Sequence, residues 1–226
     1  MKPHRSLVSV LFLLFACSSN VVTSGGASDD SNNNADGGAI DGGGTTDPNP
    51  YPEAPARGYG FQFQKVLPNL DFNGYLNVDL AQPIVSKAAY RAINLQDLRK
   101  TSAKYFYIDV SALWCPACRT QAPRLEQAAT DWWPKGGLAL TVIVQGNDRS
   151  STTPATRDDL DSWVDNFKIK LVGLADSQQN FAGRNGIETA ALPYNAVVRA
   201  DTMQIVDAWY GYDQDRIDAF ATTYLK

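Results

Sequence analysis

Residues 109–123, DVSALWCPACRTQAP, contain two cysteines separated by two residues, where one pattern of apolar residues gives way to another. Before them, residues 104–111 (KYFYIDVS) are rich in aromatic and β-branched side chains, which favours a strand. After them, residues 117–133 carry apolar side chains at helical spacing on one face, namely Cys118, Ala122, Leu125, Ala129 and Trp132. The stretch therefore predicts a strand that leads directly into a helix, with the cysteine pair at the junction.

The chain beyond residue 133 continues this alternation of strands and helices. The pattern predicts a strand over residues 138–144, a helix over 156–167 and a strand over 169–174. It then predicts a short helix over 177–184, a hairpin formed by 194–199 and 204–209, and a last helix from Asp213. The first of these helices opens with Thr156 three residues before Asp159, which is a capping box. Strands that alternate with helices imply parallel pairing, so we expect an α/β fold with a central mixed sheet flanked by helices.

The segment before this core has a weaker pattern. It predicts a short strand over residues 61–66, a turn over 71–74, a second strand over 75–80 and a helix that starts near Asn94. We expect these elements to form an N-terminal extension of one domain that covers residues 58–226.

The first 17 residues resemble a targeting segment. Lys2 and Arg5 precede an apolar stretch over residues 7–16, which is too short to span a bilayer as a helix. The stretch ends in Leu-Phe-Ala-Cys, which resembles the bacterial lipobox, with Cys17 as the cysteine that receives the lipid. We interpret residues 1–17 as a lipoprotein-type signal segment, the alternative being an ordinary secretory peptide with an incidental cysteine. Both interpretations, a lipoprotein signal and an ordinary secretory peptide, predict an exported domain.

Residues 18–57 consist almost entirely of Ser, Asn, Asp, Gly, Thr and Pro, and such a segment cannot bury enough apolar surface to fold by itself. We interpret it as a flexible tether between the domain and a membrane, with the lipid on Cys17 as the anchor. Ser18 stands where an aspartate retains many lipoproteins in the inner membrane. We therefore expect a lipoprotein that faces the periplasm or the cell exterior, and Ser18 is compatible with a location in the outer membrane.

Charge and composition exclude several classes of function. The chain has 20 basic and 24 acidic residues and no basic run after the N-terminal segment, so it lacks the electrostatic footprint of a nucleic-acid-binding protein. Its single histidine, His4, lies inside the signal segment, which argues against histidine-dependent hydrolases and against zinc or copper sites that need imidazole. We expect no metal and no cofactor other than the cysteine pair.

A cysteine pair at a helix N-terminus has a definite chemical use. The free backbone amides and the helix dipole stabilise a thiolate there, which makes Cys115 the expected nucleophile. Pro116 suits the first helical position, because the amide hydrogen that it lacks would have no partner in that turn. Cys118, one turn further on, faces the core and can attack a mixed disulfide formed through Cys115.

The same stretch resembles the thioredoxin superfamily in more than its cysteines. The superfamily has a buried acid six residues before the first cysteine, a Trp directly before it, a basic residue after the second cysteine and a Pro five residues after it; the matching residues are Asp109, Trp114, Arg119 and Pro123. The resemblance implies that Asp109 accepts the proton of Cys118, that Pro123 bends the helix and that Trp114 contacts the substrate.

A second point of resemblance is Leu192-Pro193, just before the predicted hairpin. Members of the superfamily have a cis-proline there that faces the disulfide, and the residue before it offers its backbone to an extended substrate chain. The resemblance therefore implies that Pro193 and Leu192 bind substrate, although Leu192 stands where Thr is commoner. With its exported tether, its N-terminal extension and an insertion in the middle of the domain, the region 60–226 looks most similar to the TlpA-like, membrane-anchored redoxins.

Three functions remain open at this point. The first is an extracytoplasmic thiol-disulfide oxidoreductase that acts on protein thiols or disulfides together with an upstream redox donor or acceptor; within this class we favour a reductase over an oxidase. The second is a lipoprotein binding module that keeps the cysteines as a structural disulfide. The third is a thiol peroxidase, which is disfavoured because Ala112 stands where a hydroxyl residue is expected, three positions before the reactive cysteine.

Overall fold

The computed structural model describes residues 47–54, 58–77, 87–150, 152–183 and 186–226. The predicted signal segment with Cys17 and the tether up to residue 46 lie outside the described residues, so the lipidation site stays a prediction. Within the described ranges, none of the helices is long and apolar enough to cross a membrane.

One mixed sheet organises the described part of the chain. Its seven strands are β1 (Asp71–Tyr75), β2 (Arg91–Asn94), β3 (Tyr105–Ala112), β4 (Gly137–Gln145), β5 (Val172–Ala175), β6 (Tyr194–Arg199) and β7 (Ile205–Tyr210). They lie side by side in the order β2-β1-β5-β4-β3-β6-β7, in which β3, β4 and β5 are mutually parallel and the other pairings are antiparallel. The helices are α1 (Leu95–Arg99), α2 (Pro116–Trp132), α3 (Arg157–Phe167) and α4 (Gln214–Tyr224). The predicted α/β class, with a mixed sheet flanked by helices, is confirmed.

The two central strands, β3 and β4, are buried along almost their whole length. Their nearly continuous apolar sequences suit parallel strands that are covered on both faces. Helix α2 packs against β4 and α4, while α3 packs against β5 and β1. The predicted core face of α2 is confirmed, because none of its five residues is more than 3% exposed.

Several local predictions are also confirmed. Helix α1 begins after Asn94, whose side chain accepts a hydrogen bond from the third residue of the helix. Helix α3 begins after Thr156, which forms the predicted capping box with Asp159. Strands β6 and β7 form the predicted hairpin, and Asp213 caps α4.

Residues 61–66 form no strand, so that prediction was wrong. They follow turns and bends, and Val66 makes an isolated bridge to Gln204. Phe61 and Val66 are buried, and the Tyr194 hydroxyl donates a hydrogen bond to the Phe61 carbonyl oxygen. The apolar residues that suggested a strand are therefore buried by packing against the sheet and not by pairing within it.

Residues 71–74 (DFNG) belong to β1, so the predicted turn was also wrong. The strand lies between β2 and β5, and a Cβ atom added at Gly74 would lie 2.1 Å from the Gly173 carbonyl oxygen. The glycine therefore permits two strands to approach closely, which outweighs the turn preference of Asn-Gly. Strand β1 ends at Tyr75. Of the predicted strand over 75–80, residues 76 and 77 are described, and they lie outside any strand.

The segment after β4 differs in two places from the predictions. Strand β5 is shorter than the predicted strand over 169–174 and begins later, and residues 177–183 form turns where a short helix was predicted. The Asp176 carboxylate accepts hydrogen bonds from the backbone amides of Asn180 at 2.7 Å and Phe181 at 2.8 Å. A side chain that binds these amides closes a turn and competes with a helix.

Residues 47–51, at the end of the predicted tether, lie against α1. Arg99 of α1 is 8% exposed, and its guanidinium donates hydrogen bonds to the carbonyl oxygens of Asn49 at 3.3 Å and Pro50 at 2.8 Å. It also donates to the Ala200 carbonyl oxygen at 3.0 Å, in the turn between β6 and β7. Because this turn lies beside the first residues of β3, the chain reaches the domain at the end of the sheet opposite to the cysteines.

Candidate active site

The junction of β3 and α2 brings the two cysteines together. Beyond Ala112 the chain turns tightly, with the Cys115 N–H donating to the Ala112 carbonyl oxygen at 3.1 Å. Cys115 is the N-cap of α2 and Pro116 its first residue. Cys115 and Cys118 form a disulfide, and the Cys118 N–H donates to Cys115 Sγ at 3.1 Å. This amide is placed to stabilise negative charge on the Cys115 sulfur.

The two cysteines differ in their position on α2. Both are buried, Cys115 at 2% exposure and Cys118 at 0%, but Cys115 stands at the end of the helix directly before the exposed Pro116. Cys118 lies on the core face one turn further on, so Cys115 is the cysteine of the pair that lies nearer the surface.

The Leu192-Pro193 segment lies beside the disulfide. The Leu192 carbonyl oxygen is 3.5 Å from Cys115 Sγ, and the peptide bond between Leu192 and Pro193 is cis. Pro193 leads into β6, whose first residue pairs with Val110 near the end of β3. The Pro193 carbonyl oxygen accepts a hydrogen bond from the Gly211 N–H at 2.7 Å, which fixes the segment to the chain that follows β7.

Trp114 is half-buried directly before the disulfide. Its indole N–H donates to Gln145 Oε1 at 3.0 Å, at the end of β4. The Arg149 guanidinium lies over the indole ring, 4.9 Å from its centroid, at a distance typical of a cation–π contact. These two contacts hold the indole in one orientation beside Cys115.

Asp109 lies within β3 and is completely buried. Its Oδ1 atom accepts hydrogen bonds from the Ser111 hydroxyl at 2.8 Å and from Gln121 Nε2 at 2.9 Å, and its Oδ2 atom accepts one from the Thr141 hydroxyl at 2.7 Å. Burial raises the pKa of Asp109 to about 6, and these three hydrogen bonds act in the opposite direction because they favour the carboxylate. A carboxyl group with this pKa can exchange a proton near neutral pH.

Three buried polar residues around Asp109 were not predicted from the sequence: Gln121, Thr141 and Asn195. Gln121 lies three residues after Cys118, and Thr141 interrupts an otherwise apolar strand; both features are signals in the sequence. Asn195 pairs with Asp109 across the β3–β6 register, which only the topology reveals.

The two other motif residues on α2 lie at the surface. Arg119 and Pro123 are both exposed, and α2 continues past Pro123 to Trp132. The bend expected at Pro123 stays a prediction. Among the described residues, no group of three or more His, Cys, Asp or Glu side chains is placed to hold a metal ion.

No protein-family model matches the chain, and no curated protein matches it by sequence. Solved structures match it over most of their length. The thioredoxin domain of a thiol-disulfide oxidoreductase from Bacteroides vulgatus aligns with a TM-score of 0.51 at 14% identity, covering 74% of this chain and 100% of that one. A candidate thiol:disulfide interchange protein DsbE from Chlorobium tepidum aligns with a TM-score of 0.51 at 17% identity, covering 72% and 95%.

A domain of a candidate thiol-disulfide isomerase from Cytophaga hutchinsonii aligns similarly, with a TM-score of 0.50 at 16% identity, covering 73% of this chain and 94% of that one. At such identities a structural likeness establishes the fold. The chain has the thioredoxin-like fold, as the resemblance of residues 109–123 implied.

Proposed function

We propose that the protein is a thiol-disulfide oxidoreductase that acts on protein disulfides or thiols through Cys115 and Cys118. The observation that carries the proposal is the position of Cys115. It caps α2, its sulfur accepts the Cys118 amide hydrogen, and it stands at the end of the helix next to the exposed Pro116. Two solved structures of the same fold, one named a thiol-disulfide oxidoreductase and one named a candidate thiol:disulfide interchange protein, support the same class of activity.

The proposed reaction is a pair of thiol-disulfide exchanges. The Cys115 thiolate attacks a sulfur of the substrate disulfide, which breaks that bond, forms a mixed disulfide and releases one substrate thiolate. Cys118 then gives its proton to the Asp109 carboxylate, and its sulfur attacks the sulfur of Cys115. This step releases the second substrate thiolate and forms the Cys115–Cys118 disulfide. A dithiol redox partner returns two electrons and two protons to complete the cycle.

The surroundings of Cys115 suit an extended substrate chain. In the proposal, the Trp114 indole and the backbone of Leu192 and Pro193 contact the substrate on either side of its disulfide. The support is that Leu192 lies beside Cys115 Sγ and that the contacts of Trp114 hold its ring in place.

We place this activity outside the cytoplasm, on a lipoprotein anchored through Cys17, and we favour reduction of substrates over their oxidation. The support for export and anchoring is the sequence of residues 1–57, and the support for a reductase is the resemblance to membrane-anchored redoxins.

Two alternatives make different predictions from the same site. In a binding module, the disulfide only stabilises the fold. In a thiol peroxidase, Cys115 reduces peroxide. This alternative is disfavoured because the buried Ala112, at the end of β3, lacks the hydroxyl expected three positions before the reactive cysteine.

We expect the full chain to reduce insulin disulfides in the presence of dithiothreitol and to consume no hydrogen peroxide under the same conditions. A variant with both Cys115 and Cys118 replaced by serine is the matched control, and its rate should equal that of dithiothreitol alone. Equal insulin-reduction rates for the wild type and this control would favour the binding module. Peroxide consumption that depends on Cys115 would favour the peroxidase.

A further inference from the structure

The Gln121 side chain connects two buried groups behind the disulfide. Gln121 is completely buried on α2, and its Nε2 atom donates to Asp109 Oδ1 at 2.9 Å and to Asn195 Oδ1 at 2.8 Å. Both amide hydrogens are therefore used within the protein.

The orientation of this amide follows from its neighbours. Asn195 donates from Nδ2 to the Gly211 carbonyl oxygen at 3.1 Å, so it presents its oxygen to Gln121. The Asp109 carboxylate likewise needs a donor. A reversed Gln121 amide would place its oxygen against two acceptors, which is unfavourable. The NH₂ group must therefore face Asp109 and Asn195, and the oxygen must point elsewhere.

The Oε1 atom of Gln121 is buried and has no hydrogen-bond partner among the described residues. An unpaired buried acceptor destabilises a protein, whereas an apolar side chain of similar size would carry no such cost. A hydrogen-bond donor that reaches Gln121 Oε1 would therefore stabilise the protein, and the disulfide form supplies no such donor among the described residues.

Cys118 is positioned to provide that partner after reduction. It lies three residues before Gln121, and both are buried on α2. Side chains three residues apart lie on the same face of a helix, within reach of each other. Long side chains on a helix lean back toward its N-terminus, which directs Gln121 over the turn that contains Cys118. In the disulfide, Cys118 has no proton to donate. In the dithiol form it has a buried S–H group, a weak donor that can bond to a buried acceptor of this kind.

We propose that Gln121 is the positioning residue for Cys118. In the reduced protein, the Oε1 atom of Gln121 accepts the thiol hydrogen of Cys118, while the Nε2 atom of Gln121 donates to the Asp109 carboxylate. The inference rests on the proposed function, which requires the dithiol form. On reduction, two electrons and two protons from a dithiol break the S–S bond, and the proton on Cys118 Sγ makes this hydrogen bond. On reoxidation, when Cys115 is held in a mixed disulfide with the substrate, the proton of Cys118 passes to Asp109. The Cys118 sulfur then attacks the sulfur of Cys115, which breaks the mixed disulfide and releases the substrate thiolate.

The proposal has a thermodynamic consequence for the cysteine couple. The Gln121–Cys118 hydrogen bond exists only in the dithiol form, and the unpaired acceptor exists only in the disulfide form. Both effects favour reduction. We expect Gln121→Met to shift the equilibrium with glutathione about 10-fold toward the disulfide, since one hydrogen bond is lost and one unpaired acceptor is removed. This change corresponds to a potential about 30 mV more negative.

Ser111→Ala is the matched control, because the Ser111 hydroxyl donates to the same Asp109 oxygen but belongs to β3. We expect it to change the glutathione equilibrium less than about twofold. Equal shifts in the two variants would overturn the inference, because the effect would then pass through Asp109 and not through Cys118. No shift in a folded Gln121→Met protein would overturn it as well.

A spectroscopic measurement tests the same contact in the wild-type chain. The infrared S–H stretch of Cys118, obtained as the difference between reduced wild type and reduced Cys118→Ala, should lie at the lower frequency of a hydrogen-bonded thiol. A band at the frequency of a free thiol would contradict the inference. Neither this band nor the equilibrium depends on substrate turnover, so a failure of the proposed activity remains distinguishable from a failure of the role of Gln121.

Discussion

Replacement of Cys118 by alanine is expected to convert the protein into a trap that accumulates mixed disulfides through Cys115. The variant keeps the attacking sulfur at the start of α2, but it lacks the buried sulfur that attacks the mixed disulfide from within. A positioned intramolecular group reacts far faster than an external thiol at millimolar concentration, so turnover should fall at least about 1,000-fold. The trapped species are detected as high-mass bands on non-reducing gels that disappear with dithiothreitol.

The matched control is Cys115→Ala, which keeps the thiol on the core face of α2 and lacks the one at the end of the helix. It should form no mixed disulfides, since Cys118 is completely enclosed. Mixed disulfides through Cys118 in this control, together with none through Cys115 in Cys118→Ala, would reverse the two assigned roles.

Replacement of Asp109 by asparagine is expected to stabilise the protein at pH 8 and to leave its stability unchanged at pH 4. Burial raises the pKa of Asp109 from 3.8 to about 6, so the folded protein binds this proton more tightly than the unfolded chain does. The contribution of Asp109 therefore favours folding below about pH 4 and is lost as the pH rises through 6. The loss is about 2 to 3 kcal/mol of unfolding free energy, and asparagine avoids it.

Urea unfolding at several pH values measures this difference, and the comparison at pH 4 serves as the internal control. A variant that is equally destabilised at both pH values would indicate that the hydrogen bonds of Asp109 matter more than its ionisation. The same variant should slow the resolution of mixed disulfides, because Cys118 loses the acceptor for its proton.

The central part of the fold was predictable because its elements are long and their periodicity is unambiguous. Strands β3 and β4 are nearly continuous apolar runs, and α2 repeats its core residues over four turns. The segments that were predicted wrongly are short and depend on tertiary contacts. In β1, Gly74 lies against the backbone of β5, a contact that no local pattern reveals.

The candidate site divides in the same way. The places of Cys115, Cys118 and Pro193 in the fold were predictable because each lies at the end of a strand or in the first turn of a helix. The polar side chains around Asp109 come from α2, β4 and β6, so only the folded chain brings them together. Gln121 is a polar residue on the core face of α2, where the spacing of the apolar residues alone does not indicate it.

The most direct test of the proposed activity is the reduction potential of the Cys115–Cys118 couple, measured by equilibration with glutathione. A cysteine pair at a helix N-terminus, with a backbone amide that donates to the first sulfur, should have a potential in the range of redox catalysts, between about −270 and −120 mV. A potential below about −300 mV, which is typical of structural disulfides, would contradict a catalytic role for the pair.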